Sequence, residues 1–72
     1  MVFNVLISCK DGKRDNTIKR LKEFQDIKNI QQRKNHNEIL AEITSNDASY
    51  VKNNIVSRIN AIDDITDASM LS

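Results

Sequence analysis

The sequence has no proline, no tryptophan, one glycine, one cysteine and one histidine. Each scarcity closes a line of interpretation. With Cys9 alone there is no disulfide framework, and a reducing, cytoplasmic setting is expected. With His36 alone there is no histidine cluster to hold a metal, and no serine or cysteine has a histidine partner for nucleophilic catalysis. The longest apolar run in the chain interior, Val5-Leu6-Ile7, is far too short for a bilayer, and no basic segment leads into an apolar one as in a secretory leader. Neither charge sign dominates, because the formal net charge is +1, so the overall balance selects neither nucleic acid nor an anionic membrane. Aromatic residues number three: Phe3, Phe24 and Tyr50.

What is present is the chemistry of a folded domain: 39% hydrophobic and 29% charged residues in 72 positions. One domain over residues 1–72 is expected. A chain of this size buries only about 60% of its unfolded surface, so self-association is a natural source of added stability.

Periodicity divides the chain into six elements. Residues 2–8 form a short β-branched run with Phe3, Val5 and Ile7 on one face and Val2 and Leu6 on the other. Lys10-Asp11-Gly12 marks a turn. From 13 to 24, Ile18, Leu21 and Phe24 recur at helical spacing among charged residues. Residues 27–33 read as a weaker strand, Lys34-Asn35-His36-Asn37 as a polar turn whose asparagines tolerate left-handed backbone, and 38–44 as a strand with Ile39, Ala41 and Ile43 on one face. Ser45-Asn46-Asp47 offers N-cap oxygens to a second helix, along which Val51, Ile55, Ile59 and Ile62 form a stripe. Residues 65–71 close the series as a strand.

The order βαββαβ predicts an α+β, ferredoxin-like domain: a four-stranded antiparallel sheet with both helices on one face. An internal repeat supports it. Ile18, Arg20, Leu21, Phe24, Asp26 and Ile27 are matched 38 positions later by Val56, Arg58, Ile59, Ile62, Asp64 and Ile65. Asp26 and Asp64 are placed in the turn after each helix, where glycine is best and aspartate tolerated.

The helix-free face of the sheet carries Val2, Leu6 and Leu40, so the central strands are apolar on both sides and a buried second face is expected. RNA-binding domains share this element order, but they stack bases on aromatics of the central strands, and residues 38–44 contain none. Charge is placed unevenly: residues 10–34 balance to +5 and residues 38–72 to −4. Such patterning marks solvated faces or the docking of a basic patch on an acidic one in another subunit.

The residues that follow the opening strand, K-D-G-K before the first helix and L-K-E-F-Q-D-I after it, resemble a known family. So do E-I-L-A-E-I-T, N-D-A-S-Y-V and I-N-A-I-D-D-I-T-D-A-S-M-L. The chain is similar over nearly its whole length to the ligand-binding, regulation-of-amino-acid-metabolism domain of the Lrp/AsnC transcription regulators. Members commonly end a helix with I-x-x-I-x-G-V and a strand near M-L. They usually carry a DNA-binding helix-turn-helix domain as well, for which the six elements here leave no room. The resemblance implies a homodimer made by packing of the sheets, higher oligomers, and amino-acid effectors bound between dimers. Members with an amino-acid site often show Gly-x-Tyr/Phe-Asp at the hairpin, and the matching residues here are Asn35-His36-Asn37-Glu38.

The resulting expectation is an effector-binding and oligomerisation module, not an enzyme, with no cofactor and no metal. It would sense an amino acid or a related molecule through Asn35, Asn37 and Glu38, with the Glu38 carboxylate meeting the α-ammonium. It would pair with itself or with full-length Lrp/AsnC regulators, and touch neither nucleic acid nor membrane. The alternative is a purely structural protein-interaction domain with no ligand.

Overall fold

The computed structural model describes residues 1–71. Four strands, β1 (Val2–Cys9), β2 (Ile27–Gln32), β3 (Glu38–Thr44) and β4 (Ile65–Met70), form one antiparallel sheet in the order β2-β3-β1-β4. Helix α1 (Arg14–Leu21) follows β1. A second helical rod follows β3 and has three segments: α2 (Ala48–Tyr50), a π-helical stretch (Val51–Ile55) and α3 (Val56–Asn60). This is the α+β, ferredoxin-like arrangement expected from the periodicity.

Alternation builds the core. Phe3, Val5, Ile7 and Cys9 of β1 and Ile39, Ala41 and Ile43 of β3 all point to the helices and are buried. Against them lie Leu21 from α1 and Val51, Ile55, Val56 and Ile59 from the second rod. Ile62 joins them from the turn beyond α3, not from the helix itself. The π-helical stretch explains why both Ile55 and its neighbour Val56 are buried: the extra residue per turn rotates the stripe, so two adjacent side chains share it.

Local chemistry sets the helix ends. The Asp47 carboxylate accepts from the Tyr50 backbone N–H at 3.1 Å and caps the second rod, as its position in the sequence suggests. Lys13 precedes α1 and gives no side-chain cap. Helix α1 stops at Leu21, three residues short of the expected Phe24, because the chain tightens into short-range bonds: Glu23 N–H to Arg20 C=O (3.1 Å) and Phe24 N–H to Leu21 C=O (3.0 Å).

The 38-residue repeat is expressed in the backbone. Phe24 N–H to Leu21 C=O is matched by Ile62 N–H to Ile59 C=O (3.1 Å). Ile27 N–H to Phe24 C=O (3.2 Å) is matched by Ile65 N–H to Ile62 C=O (3.0 Å). Each edge strand also breaks register at the same place. Lys28 is the extra residue between Ile27↔Ile43 and Asn29↔Glu42, and Thr66 is the extra residue between Ile65↔Cys9 and Asp67↔Ser8. The left-handed turns expected at Asp26 and Asp64 are absent, since Gly12 (φ 74°) is the one residue with positive φ among those described. With both exits closed by short-range bonds, neither aspartate needs that conformation.

The helix-free face differs from its expected apolar character. Leu6 and Leu40 are direct cross-strand partners at its centre and are half-buried. Val2 lies at the end of β1 and is 56% exposed. The rows on either side of the leucine pair are polar: Asn29–Glu42–Asn4 on one side and Glu38–Ser8–Asp67 on the other. The apolar surface is the leucine pair between two polar rows, with exposed Val2 beyond one of them.

Candidate functional site

The hairpin between β2 and β3 brings Asn35, Asn37 and Glu38 together, but two of the three already serve the fold. Asn35 makes an Asx turn, its side-chain carbonyl accepting from the Asn37 backbone N–H at 2.9 Å, which replaces the left-handed backbone expected there. The Asn37 side-chain amide donates to the Asp11 carboxylate at 2.6 Å, tying the hairpin to the β1–α1 turn. The Asn37 carbonyl accepts from the Cys9 backbone N–H at 2.8 Å and from its thiol at 3.3 Å. Glu38 keeps its carboxylate toward the surface, 3.9 Å from the Arg33 guanidinium, a loose and partly exposed pair.

Sequence reasoning missed the group that organises this region. Arg14, at the start of α1, reaches across to the hairpin and donates to the carbonyls of Arg33 (3.1 Å) and Asn35 (3.0 Å) and to the Gln32 side-chain carbonyl (3.0 Å). A planar guanidinium presents several donors in a fixed fork, and here the fork fits two carbonyls and an amide. No sequence motif marks such a clamp, because two of its three acceptors are backbone. The helical phase of Arg14, three residues before the buried Thr17, is the one available signal.

Beside the clamp, Gln31, Gln32, Arg33, Lys34, Asn35 and Glu38 line a shallow, open depression of about 360 Å³. It presents a carboxylate and two cationic groups within one hairpin, a charge pattern that suits a small zwitterion. On the helix side a second open depression, about 550 Å³, is lined by Phe24, Asp26, Tyr50 and Arg58 among others. The Arg58 guanidinium lies 4.8 Å from the Phe24 ring centroid and 3.8 Å from the Asp26 carboxylate.

Cys9 is buried at the end of β1. Burial pushes its thiol above the ordinary value, with lesser opposing influences from the Thr17 hydroxyl and the Arg14 guanidinium. A buried thiol held in its neutral form is a small hydrophobe and not a nucleophile. The Thr17 hydroxyl is fully buried and makes no hydrogen bond of good geometry, although it lies close enough to the thiol to favour the thiolate. Among the described residues, no group of three or more His, Cys, Asp or Glu side chains is placed to hold a metal ion, and no helix is long and apolar enough to cross a membrane.

No protein-family model matches the chain, and no curated protein matches it.

Proposed function

We propose that the chain is a non-catalytic assembly module of the kind its likeness to the Lrp/AsnC regulatory domain implies, joined through its helix-free sheet face to a second sheet and responsive to an amino-acid-like effector at the hairpin. The observation that supports the reading is the Leu6–Leu40 pair at the middle of the sheet, half-buried on a face that no helix covers. Covering a fully exposed leucine is worth about 1.5–3 kcal/mol, and a partner sheet would supply the remaining fraction of that for each of these half-buried leucines. The effector would place its α-ammonium on Glu38 and its carboxylate on Arg33 and Lys34. Its binding would shift assembly through different affinities for the free and joined states.

Solution mass across protein concentration, at high salt, tests the face. Association should be lost in Leu6→Gln and Leu40→Gln variants of unchanged secondary structure. A wild-type chain that stays monomeric throughout, or variants that associate as before, would sink the reading.

A specific observation favours the ligand-free alternative, a structural interaction domain. Asn35 and Asn37 spend their side chains on the hairpin and on Asp11, leaving Glu38, loosely paired with Arg33, as the one member of the expected set not tied into the fold. Melting temperature with millimolar amino acids separates the two. Stabilisation that disappears in Glu38→Gln supports the effector, and no stabilisation leaves the structural domain.

A further inference from the structure

Apart from Arg33 at its border, the charges framing the leucine pair are negative. Strands β1, β3 and β4 contain no lysine or arginine, and their three carboxylates, Glu38, Glu42 and Asp67, all fall on the helix-free face. They follow from alternation: each sits next to a residue buried on the other side, Ile39, Ala41 or Ala68. Glu42 lies in the row on one side of Leu6–Leu40, and Glu38 and Asp67 flank Ser8 in the row on the other. Arg33, at the border of the face, pairs loosely with Glu38 at 3.9 Å, while Lys28 at the bulge donates to the Gln25 carbonyl at 3.3 Å. The chain's remaining cations lie on the loops and helices.

Two identical copies meeting through this face bring like-charged rims together, because an isologous interface uses one patch twice. Repulsion of that kind suppresses the wrong pairing without destabilising the domain. A partner with an apolar centre and a lysine or arginine rim meets the same face with attraction. We propose that the sheet face selects a heterotypic partner, a polypeptide surface with an apolar centre ringed by cations, over a second copy of this chain. The inference rests on the sheet-face reading above and adds to it the chemistry of the partner.

The chain itself supplies the probe. A Glu42→Lys/Asp67→Lys variant keeps the Glu38–Arg33 pair and turns the rim basic. Mixed with wild type at low salt, it should form a one-to-one complex at about a tenfold lower concentration than either protein forms alone, since charge complementarity strengthens encounter and pairing. Added salt should weaken the mixed complex and strengthen wild-type self-association, because screening removes attraction in one and repulsion in the other.

Wild type that self-associates as tightly as the mixture, or no complex in any mixture, overturns the proposal. Should the double-lysine variant fail to fold, Glu42→Gln/Asp67→Asn keeps the side-chain shapes. It should raise self-association several-fold, and an unchanged value overturns the proposal too. Failure of the two ideas is distinguishable. Association that needs Leu6 and Leu40 but ignores the rim charges removes only the partner selection. Association indifferent to both leucines removes the sheet-face reading itself.

Discussion

The two βαβ halves share a backbone plan and differ in what holds it. Both leave their helix through the same short-range hydrogen bonds, and both edge strands carry their bulge at the same place, Lys28 in one and Thr66 in the other. They differ in the length of chain that joins the two strands of each half. Cys9 lies 18 residues before Ile27, whereas Ile43 lies 22 before Ile65, so the second half has four more residues, about one helical turn. The longer rod is capped by Asp47 and buries Val51, Ile55, Val56 and Ile59. Helix α1 has no side-chain cap and buries only Thr17 and Leu21. What it lacks in apolar contact it offsets with polar contacts, the Arg14 fork and the Asp11–Asn37 bond. A duplicated skeleton has thus become a packed half and a half pinned to its hairpin by surface hydrogen bonds.

The sharpest way to break this comparison is to empty matched core positions. Leu21 and Ile59 are both fully buried and stand 38 residues apart. Ile59→Ala should cost about 3–4 kcal/mol and Leu21→Ala about 2–3 kcal/mol in denaturant unfolding, since fewer buried neighbours surround α1 and its site can relax. A larger loss at Leu21 would reverse the assignment of which half is the packed one.

A smaller and more local effect is expected at the clamp. Arg14→Ala should cost about 1–2 kcal/mol, as several partly exposed hydrogen bonds are exchanged for water. Its clearer signature is in amide exchange: faster at Arg33, Asn37 and Glu38, unchanged along residues 51–60. Uniform acceleration would mean that the hairpin is not held separately.

The smallest effect is a pH dependence from Cys9. Its thiol pKa is raised in the folded state, so the unfolded chain releases that proton first as pH rises. The contribution is therefore fully present below the unfolded thiol pKa and is lost as pH climbs through the folded one. Unfolding free energy should decline over the alkaline range, and Cys9→Ala should flatten that decline. A steeper decline in the variant would contradict it.

Element order, the core faces and the repeated helix exits were legible in the sequence, because each is written in local periodicity. Ile39, Ala41 and Ile43 can alternate in only one way, and the apolar-x-Asp-Ile sequences end both helices alike. Less legible were features that depend on backbone. The π-helical stretch moves Val56 into the stripe through an insertion that no side chain announces. The bulges at Lys28 and Thr66 set which residues of the edge strands face the helices. At the candidate site, the turn position of Asn35 was readable but not its mechanism, since a side-chain bond took the place of a left-handed residue. Arg14 escaped notice for a related reason: its acceptors lie 18 to 21 residues away and are mainly carbonyls, which every residue has. The expectation of an apolar open face rested on Val2, Leu6 and Leu40; Glu42 and Glu38, in the rows on either side of the leucine pair, give that face its mixed character.

The strand order also has a kinetic consequence. The β2–β3 pairing joins neighbours in sequence, with Gln32 opposite Ile39, whereas β1 meets β4 across nearly the whole chain, with Val5 opposite Met70. Closing a loop costs more entropy as it lengthens, and contacts of high sequence separation slow folding. The hairpin can zip early, and Arg14, 18 to 21 residues from its acceptors, docks on it afterwards. The β1–β4 ladder must wait for the second rod to settle. During that interval one side of β1 has no partner, and the molecule's greatest exposure to mispairing lies there, at a strand with no charged side chain to deter it.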